Sequence, residues 1–91
     1  LIAHYEDAVA LNPDDWMLRR NAGTAYAHLG LAERAKAHLE RAAAVIPDNL
    51  DTLFALASVQ RSLGDAAAAE KSFAALREIE PRYPGLLPPS R

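Results

Sequence analysis

The chain contains no cysteine, so disulfide bonds and thiolate metal sites are excluded. Aromatic residues make up only 7%, and no apolar run approaches the 18 residues of a membrane-spanning helix. The formal net charge of −2 argues against a surface that binds nucleic acid. We therefore expect no nucleic-acid partner and no membrane partner, and the cytoplasm is slightly favoured as the location.

Alanine is abundant instead. It occurs twenty times, and small side chains in that proportion are typical of closely packed helices. The 91 residues suffice for one small domain but are few for an enzyme with an enclosed site. Because the chain begins Leu1-Ile2-Ala3 without methionine, we expect a fragment of a longer protein.

The sequence repeats with a period of 34 residues. Six sets of equivalent residues keep this spacing: Pro13, Pro47 and Pro81; Gly30 and Gly64; Leu29 and Leu63; Ala35 and Ala69; Asp14 and Asp48; Leu11, Val45 and Ile79. A large apolar side chain also recurs at Tyr5, Leu39 and Phe73. One set of residues with this spacing could arise by chance, but six sets with the same spacing indicate an internal repeat.

Each repeat shows the apolar spacing of two helices. Small and apolar residues recur at intervals of three and four, which places them on one face of a helix. The predicted buried faces are Leu18, Ala22, Ala25, Tyr26 and Leu29; Ala35, Leu39, Ala42 and Val45; Leu53, Leu56, Ala57, Val59 and Leu63; and Ala66, Ala69, Phe73, Leu76 and Ile79.

Glycine and proline mark the ends of these helices. We predict five helices with breaks at 12–14, 30–31, 47–48 and 64–65, and no strand. A repeat domain then spans 1–83, with a half repeat at 1–15 and full repeats at 16–49 and 50–83. The proline-rich residues 84–91 form either a linker or a lid in which Leu86 and Leu87 cover the last helix.

These residues resemble the tetratricopeptide repeat, whose pattern is W-x-x-L-G-x-x-Y, then A-x-x-x-F, then P. The first full unit reads Arg19-x-x-Ala22-Gly23-x-x-Tyr26, and the second reads Leu53-x-x-Leu56-Ala57-x-x-Gln60. Ala35-x-x-x-Leu39 with Pro47, and Ala69-x-x-x-Phe73 with Pro81, complete the two units. The resemblance implies an all-α, right-handed solenoid of antiparallel helix pairs with about two and a half repeats.

The resemblance also implies a non-catalytic module that binds a protein or peptide in a concave groove, with no cofactor. Its first helices would line this groove with Met17, Arg20, Asn21, Thr24 and His28, and with Asp51, Phe54, Ala55, Ser58, Arg61 and Ser62. A known subgroup grips a carboxylate with lysine and asparagine. That mode is disfavoured here, because Asp51 would repel a carboxylate and Thr24 and Ala55 replace the expected polar residues.

Two features keep alternative interpretations. Phe54 is either core or an exposed anchor for a partner, and we expect an accessible ring because it lies about 100° from the Leu53 face. His4, His28 and His38 lack metal-binding spacing, so solvated surface histidines are expected and no metal.

The first helix lacks its partner helix, so Ile2, Tyr5 and Val9 are expected to present apolar surface. This face suggests a second function, namely a structural segment that self-associates through its ends. A helical appendage of a larger enzyme is a third alternative.

Overall fold

A computed structural model describes residues 2–84 and, of these, the side chains of residues 3–84. It contains five α-helices: α1 (Ile2–Leu11), α2 (Trp16–His28), α3 (Ala32–Val45), α4 (Leu50–Ser62) and α5 (Ala66–Ile79). Each predicted break lies inside an observed interhelical segment, and residues 2–84 hold no strand. None of these helices is long and apolar enough to cross a bilayer. The predicted lid of Leu86 and Leu87 lies outside the described residues.

The helix ends repeat with the sequence. Asp15 and Asn49 cap α2 and α4, where their side chains accept bonds from the backbone N–H of Leu18 (3.2 Å) and Thr52 (2.9 Å). Gly30 and Gly64 follow the ends of these helices with φ of 78° and 83°, a left-handed conformation that favours glycine. The first helix of each unit therefore begins and ends by the same local chemistry.

The helices form two hairpins and one leading helix. Helix α2 packs on α3, α4 packs on α5, and α3 packs on α4, while α1 lies against α2. The molecule measures 44 × 24 × 23 Å, as expected when each unit touches only its neighbours along one direction. This stacking sets α2 and α4 side by side, with a groove between them.

The core lies where the small residues allow close crossing. Ala35 and Leu39 of α3 are fully buried, and Tyr26 of α2 is 1% exposed beside them. A Cβ added to Gly23 would lie 2.6 Å from the Leu39 Cγ and 3.2 Å from the Ala35 carbonyl oxygen. Only a residue without a side chain fits at position 23 while α2 and α3 keep this separation.

Four residues of the predicted buried faces are exposed. Leu29, Val45 and Ile79 are 53%, 44% and 47% exposed, and Ala66 is exposed as well. All four lie at an end of a helix or directly after it, where the neighbouring helix no longer covers the side chain. The prediction was correct about the angular position of the face and wrong about its length.

Polar partners stabilise Arg19 and Gln60, which stand where the repeat pattern has tryptophan and tyrosine. The Arg19 guanidinium donates to the Pro13 carbonyl oxygen at 2.8 Å. Gln60 is 7% exposed, and its side-chain oxygen accepts a hydrogen bond of 2.7 Å from the Ser72 hydroxyl. A buried amide with a partner of this quality costs little, so the second unit packs without an apolar residue at position 60.

His38 was expected at the solvated surface, and this prediction is wrong. Its side chain is only 12% exposed and stacks on Tyr26, with ring centres 5.3 Å apart and planes 3° apart. The Arg19 Nη1 lies 3.3 Å from His38 Nδ1. A guanidinium only donates, so Nδ1 accepts, and the proton of the neutral ring lies on Nε2, which faces Glu6 of α1 at 3.9 Å.

Burial and the nearby Arg19 charge lower the pKa of His38, and the opposing effect of Glu6 is smaller. The folded chain therefore binds this proton less tightly than the unfolded chain. We expect the stability that neutral His38 contributes to be present above about pH 6.5, the ordinary histidine pKa, and to be lost as the pH falls below it.

Urea unfolding between pH 7.5 and 5 measures this. The His38→Gln variant should show a weaker fall in the free energy of unfolding than the parent protein, because it lacks the group whose pKa is lowered in the folded chain. Equal slopes in the parent protein and His38→Gln would contradict the expectation.

Helix α1 lacks a partner helix of its own repeat, but it makes contacts with α2 and α3 that the sequence did not predict. Val9 is 7% exposed, so the prediction that it presents open apolar surface is wrong. The Tyr26 hydroxyl donates to the Glu6 carboxylate, which also faces His38. Tyr5 is half-buried and lines the groove. The Ile2 side chain lies outside the described residues, so the proposed end face retains neither Val9 nor a fully open Tyr5.

Candidate functional site

A groove of about 660 Å³ runs between α2 and α4, the first helices of the two full repeats. Residues three and four apart share a helix face, so each of the two helices contributes one face to the groove. Tyr5 of α1 and Tyr83, which follows α5, also line it. We call this depression the groove.

The structure brings eight of the eleven residues predicted for the groove to it: Arg20, Asn21, Thr24, His28, Asp51, Phe54, Ala55 and Ser58. Met17, Arg61 and Ser62 are not among the lining residues. Met17 is 51% exposed, and the Arg61 guanidinium carbon lies 5.2 Å from the centre of the Phe73 ring.

Phe54 is neither fully buried nor freely accessible. Its side chain is half-buried, and its ring centre lies 6.1 Å from that of Phe73 and 5.2 Å from that of Tyr83. The expectation of a substantially accessible ring is therefore corrected, because two aromatic neighbours cover part of it. The remaining surface of Phe54 lines the groove.

Tyr83 and Asp51 form the polar end of this aromatic group. The Tyr83 hydroxyl donates a hydrogen bond of 2.6 Å to Asp51 Oδ1. Burial, and then the Asp51 carboxylate as acceptor and as a nearby negative charge, raise the pKa of Tyr83 to about 12. Tyr83 therefore remains a neutral donor across the physiological pH range.

The α2 side of the groove carries a positive charge, on Arg20, and one amide group, on Asn21. The Arg20 guanidinium carbon lies 5.5 Å from the centre of the Trp16 ring, and its Nη2 lies 3.3 Å from the Asn21 side-chain oxygen. The Thr24 hydroxyl donates to the Arg20 carbonyl oxygen at 3.0 Å, so it is turned back toward its own helix. The groove is thus electrically asymmetric, with Arg20 on α2 and Asp51 on α4.

Two tyrosines were missed as groove residues by sequence reasoning. Tyr5 was assigned to the end face, and Tyr83 to the end of the repeat domain. Neither belongs to the first helix of a unit, so the helical phase that identified the other residues says nothing of them. Tyr83 reaches a residue 32 positions earlier, and this contact depends on how the chain turns after α5.

The described part of the chain holds no group of three or more histidine, aspartate or glutamate side chains placed to bind a metal ion. The arrangement that the groove does offer is an aromatic surface with donors, acceptors and charges of both signs at its sides. This combination suits the recognition of a polypeptide segment, since aromatic and arginine side chains are enriched in protein interfaces.

Comparison with known protein families matches the family described as Tetratricopeptide repeat, at residues 21–49 and 50–83. The matches include residues 21–28 of α2 and the whole of α4, the two helices that line the groove. Comparison with the curated proteins gives no match.

Proposed function

Because this chain belongs to the tetratricopeptide repeat family, whose repeats generally mediate protein–protein interaction, we propose that it binds an extended peptide or a helix of a partner protein in the groove. The proposal assigns no catalytic step and no cofactor to the chain, in keeping with a family that is typically a non-catalytic interaction module. The groove residues named above would contact the partner.

The aromatic surface at the centre of the groove carries this proposal. Phe54, Tyr83 and Tyr5 border a depression of about 660 Å³ that is flanked by Arg20 and Asp51. Apolar rings surrounded by polar groups are the usual composition of an interface centre and its rim. A partner side chain placed against Phe54 would remove apolar surface from water, which favours association.

Self-association through the face of α1 receives less support. Val9 is buried, and the half-buried Tyr5 lines the groove. Two of the three residues named for that face therefore do not form an open end surface. We expect sedimentation across a concentration series to give a monomer. A dimer that persists at low concentration would favour the structural alternative.

The Phe54→Ala variant should bind its partner more weakly by about 1–3 kcal/mol, because the ring supplies the apolar centre of the groove. The partner segment is first selected from a displayed random-peptide library on the parent protein, and its affinity is then measured by calorimetry. Since Phe54 also contacts two rings, some stability is lost too, and each variant is measured well below its unfolding temperature.

Phe73→Ala is the matched control. It removes the same ring from the same aromatic group, but Phe73 does not line the groove. A smaller loss of affinity in Phe73→Ala than in Phe54→Ala separates contact from stability. Peptides that bind Phe54→Ala as tightly as the parent protein would refute the groove as the binding site.

A further inference from the structure

The Asp51 carboxylate contacts Tyr83 and lies one helical turn before Phe54 on the α4 side of the groove. Tyr83 donates its hydroxyl hydrogen to Asp51, and the Tyr83 ring lies at 35° to the Phe54 ring with centres 5.2 Å apart. Asp51 is nevertheless exposed, and all three residues line the groove. The carboxylate accepts one hydrogen bond from the described residues, so a side chain that lines the groove retains acceptor capacity.

Within residues 3–84, no Lys, Arg or His nitrogen lies within 4.0 Å of the Asp51 carboxylate. The two arginines of the predicted binding face are directed at other groups. Arg20 lies over Trp16, and Arg61 lies over Phe73. The charge of Asp51 is therefore balanced neither by Arg20 across the groove nor by Arg61 on its own helix.

Three arginine side chains of the protein already make cation–π contacts with its aromatic rings. Guanidinium groups lie 5.2–5.9 Å from the centres of the Phe73, Trp16 and Tyr26 rings. A cation over a ring is attracted by the negative ring face, and a carboxylate beside the ring adds a charge-assisted hydrogen bond. Asp51, Phe54 and Tyr83 supply both components but hold no cation of their own among the described residues.

We propose that Asp51, Phe54 and Tyr83 form a subsite for a basic side chain, arginine above all, of the partner segment that binds in the groove. The inference presupposes the proposed function and specifies its ligand. Arg20 on the α2 side repels a second cation, so the basic residue of the partner is directed toward α4. The planar guanidinium suits this subsite, because it can lie against a ring and donate to the carboxylate together.

Two matched peptides test the subsite. Both have the sequence acetyl-Gly-Ser-Leu-Gly-X-Gly-Leu-Ser-Gly-amide, in which X is arginine in one and citrulline in the other. Citrulline keeps the length and planar end of arginine but lacks its charge. Binding to the 91-residue protein is followed by amide chemical shifts in NMR titrations.

We expect the arginine peptide to bind about three- to tenfold more tightly than the citrulline peptide, with shifts centred on residues 51, 54 and 83. In Asp51→Asn the preference should fall below about twofold, because the amide oxygen still accepts from Tyr83 while the charge is gone. Asp7→Asn, which removes the same charge from an exposed position of α1 outside the groove lining, should keep the full preference.

Two results would overturn the subsite: equal affinity of the two peptides for the parent protein, or a preference that survives in Asp51→Asn. If both peptides shift groove resonances equally, the groove still binds polypeptide and only the basic subsite fails. If neither peptide shifts groove resonances at millimolar concentration, and the peptides selected from the library shift resonances only outside the groove, the proposed function fails together with the subsite.

Discussion

Replacing Leu39 by alanine should lower the free energy of unfolding by about 2–5 kcal/mol. The Leu39 side chain of α3 is fully buried against α2. Gly23 of α2 approaches it so closely that a Cβ added to Gly23 would lie 2.6 Å from the Leu39 Cγ. Truncation leaves a cavity that the rigid crossing closes only in part. Chemical unfolding in urea, followed by circular dichroism at 222 nm, measures the change.

Leu11→Ala is the matched control, since Leu11 is 81% exposed at the end of α1. The same atoms are removed without a cavity, so its effect should stay within about 0.5 kcal/mol. Similar losses of stability in both variants would mean that Leu39 does not occupy the centre of the hairpin.

Replacing Ala35 by leucine should destabilise the protein by about 1–3 kcal/mol, for the opposite reason. Ala35 is fully buried where α3 crosses α2. Its carbonyl oxygen lies 3.2 Å from the position that a Cβ added to Gly23 would occupy. Three additional carbon atoms would push the two helices apart or force unfavourable rotamers. Ala69→Leu, at the equivalent position of α5 with 3% exposure, should act in the same direction.

Ala37→Leu tests whether crowding is the cause. Ala37 lies two residues along the same helix and is exposed, so the substitution adds the same atoms where there is room. Its effect should stay within about 0.5 kcal/mol, because alanine and leucine have similar helix propensities. If thermal melts of Ala35→Leu, Ala69→Leu and Ala37→Leu all match the parent protein, the crossing is not close-packed at these alanines.

The experiments on Phe54 and Asp51 answer different questions about the groove. Phe54→Ala asks whether the groove binds at all, because the ring forms its apolar centre. Asp51→Asn asks which charge the partner presents, because the substitution preserves the shape of the side chain and the acceptor for Tyr83. Agreement between the two would place apolar contact and charge recognition at neighbouring points on α4.

The amino-acid sequence by itself determined the five helices, their breaks and the family to which the chain belongs. Local chemistry explains this success. Proline cannot donate within a helix, glycine tolerates positive φ at Gly30 and Gly64, and a repeat of 34 residues requires equivalent packing in each unit. The resemblance to the tetratricopeptide repeat, carried over to this chain by helical phase, also selected most of the residues that line the groove, because a phase defines an angle around the helix axis.

Only the tertiary structure decided what covers each side chain. Phase does not say how far along its axis a helix is covered, so Leu29 and Val45 proved exposed where burial was expected. It also does not reveal contacts between distant parts of the chain. His38 is enclosed by groups from α1 and α2, and Tyr83 meets Asp51 only because the chain after α5 turns back to α4. These contacts join residues 19 to 32 positions apart, and their geometry depends on how whole helices pack.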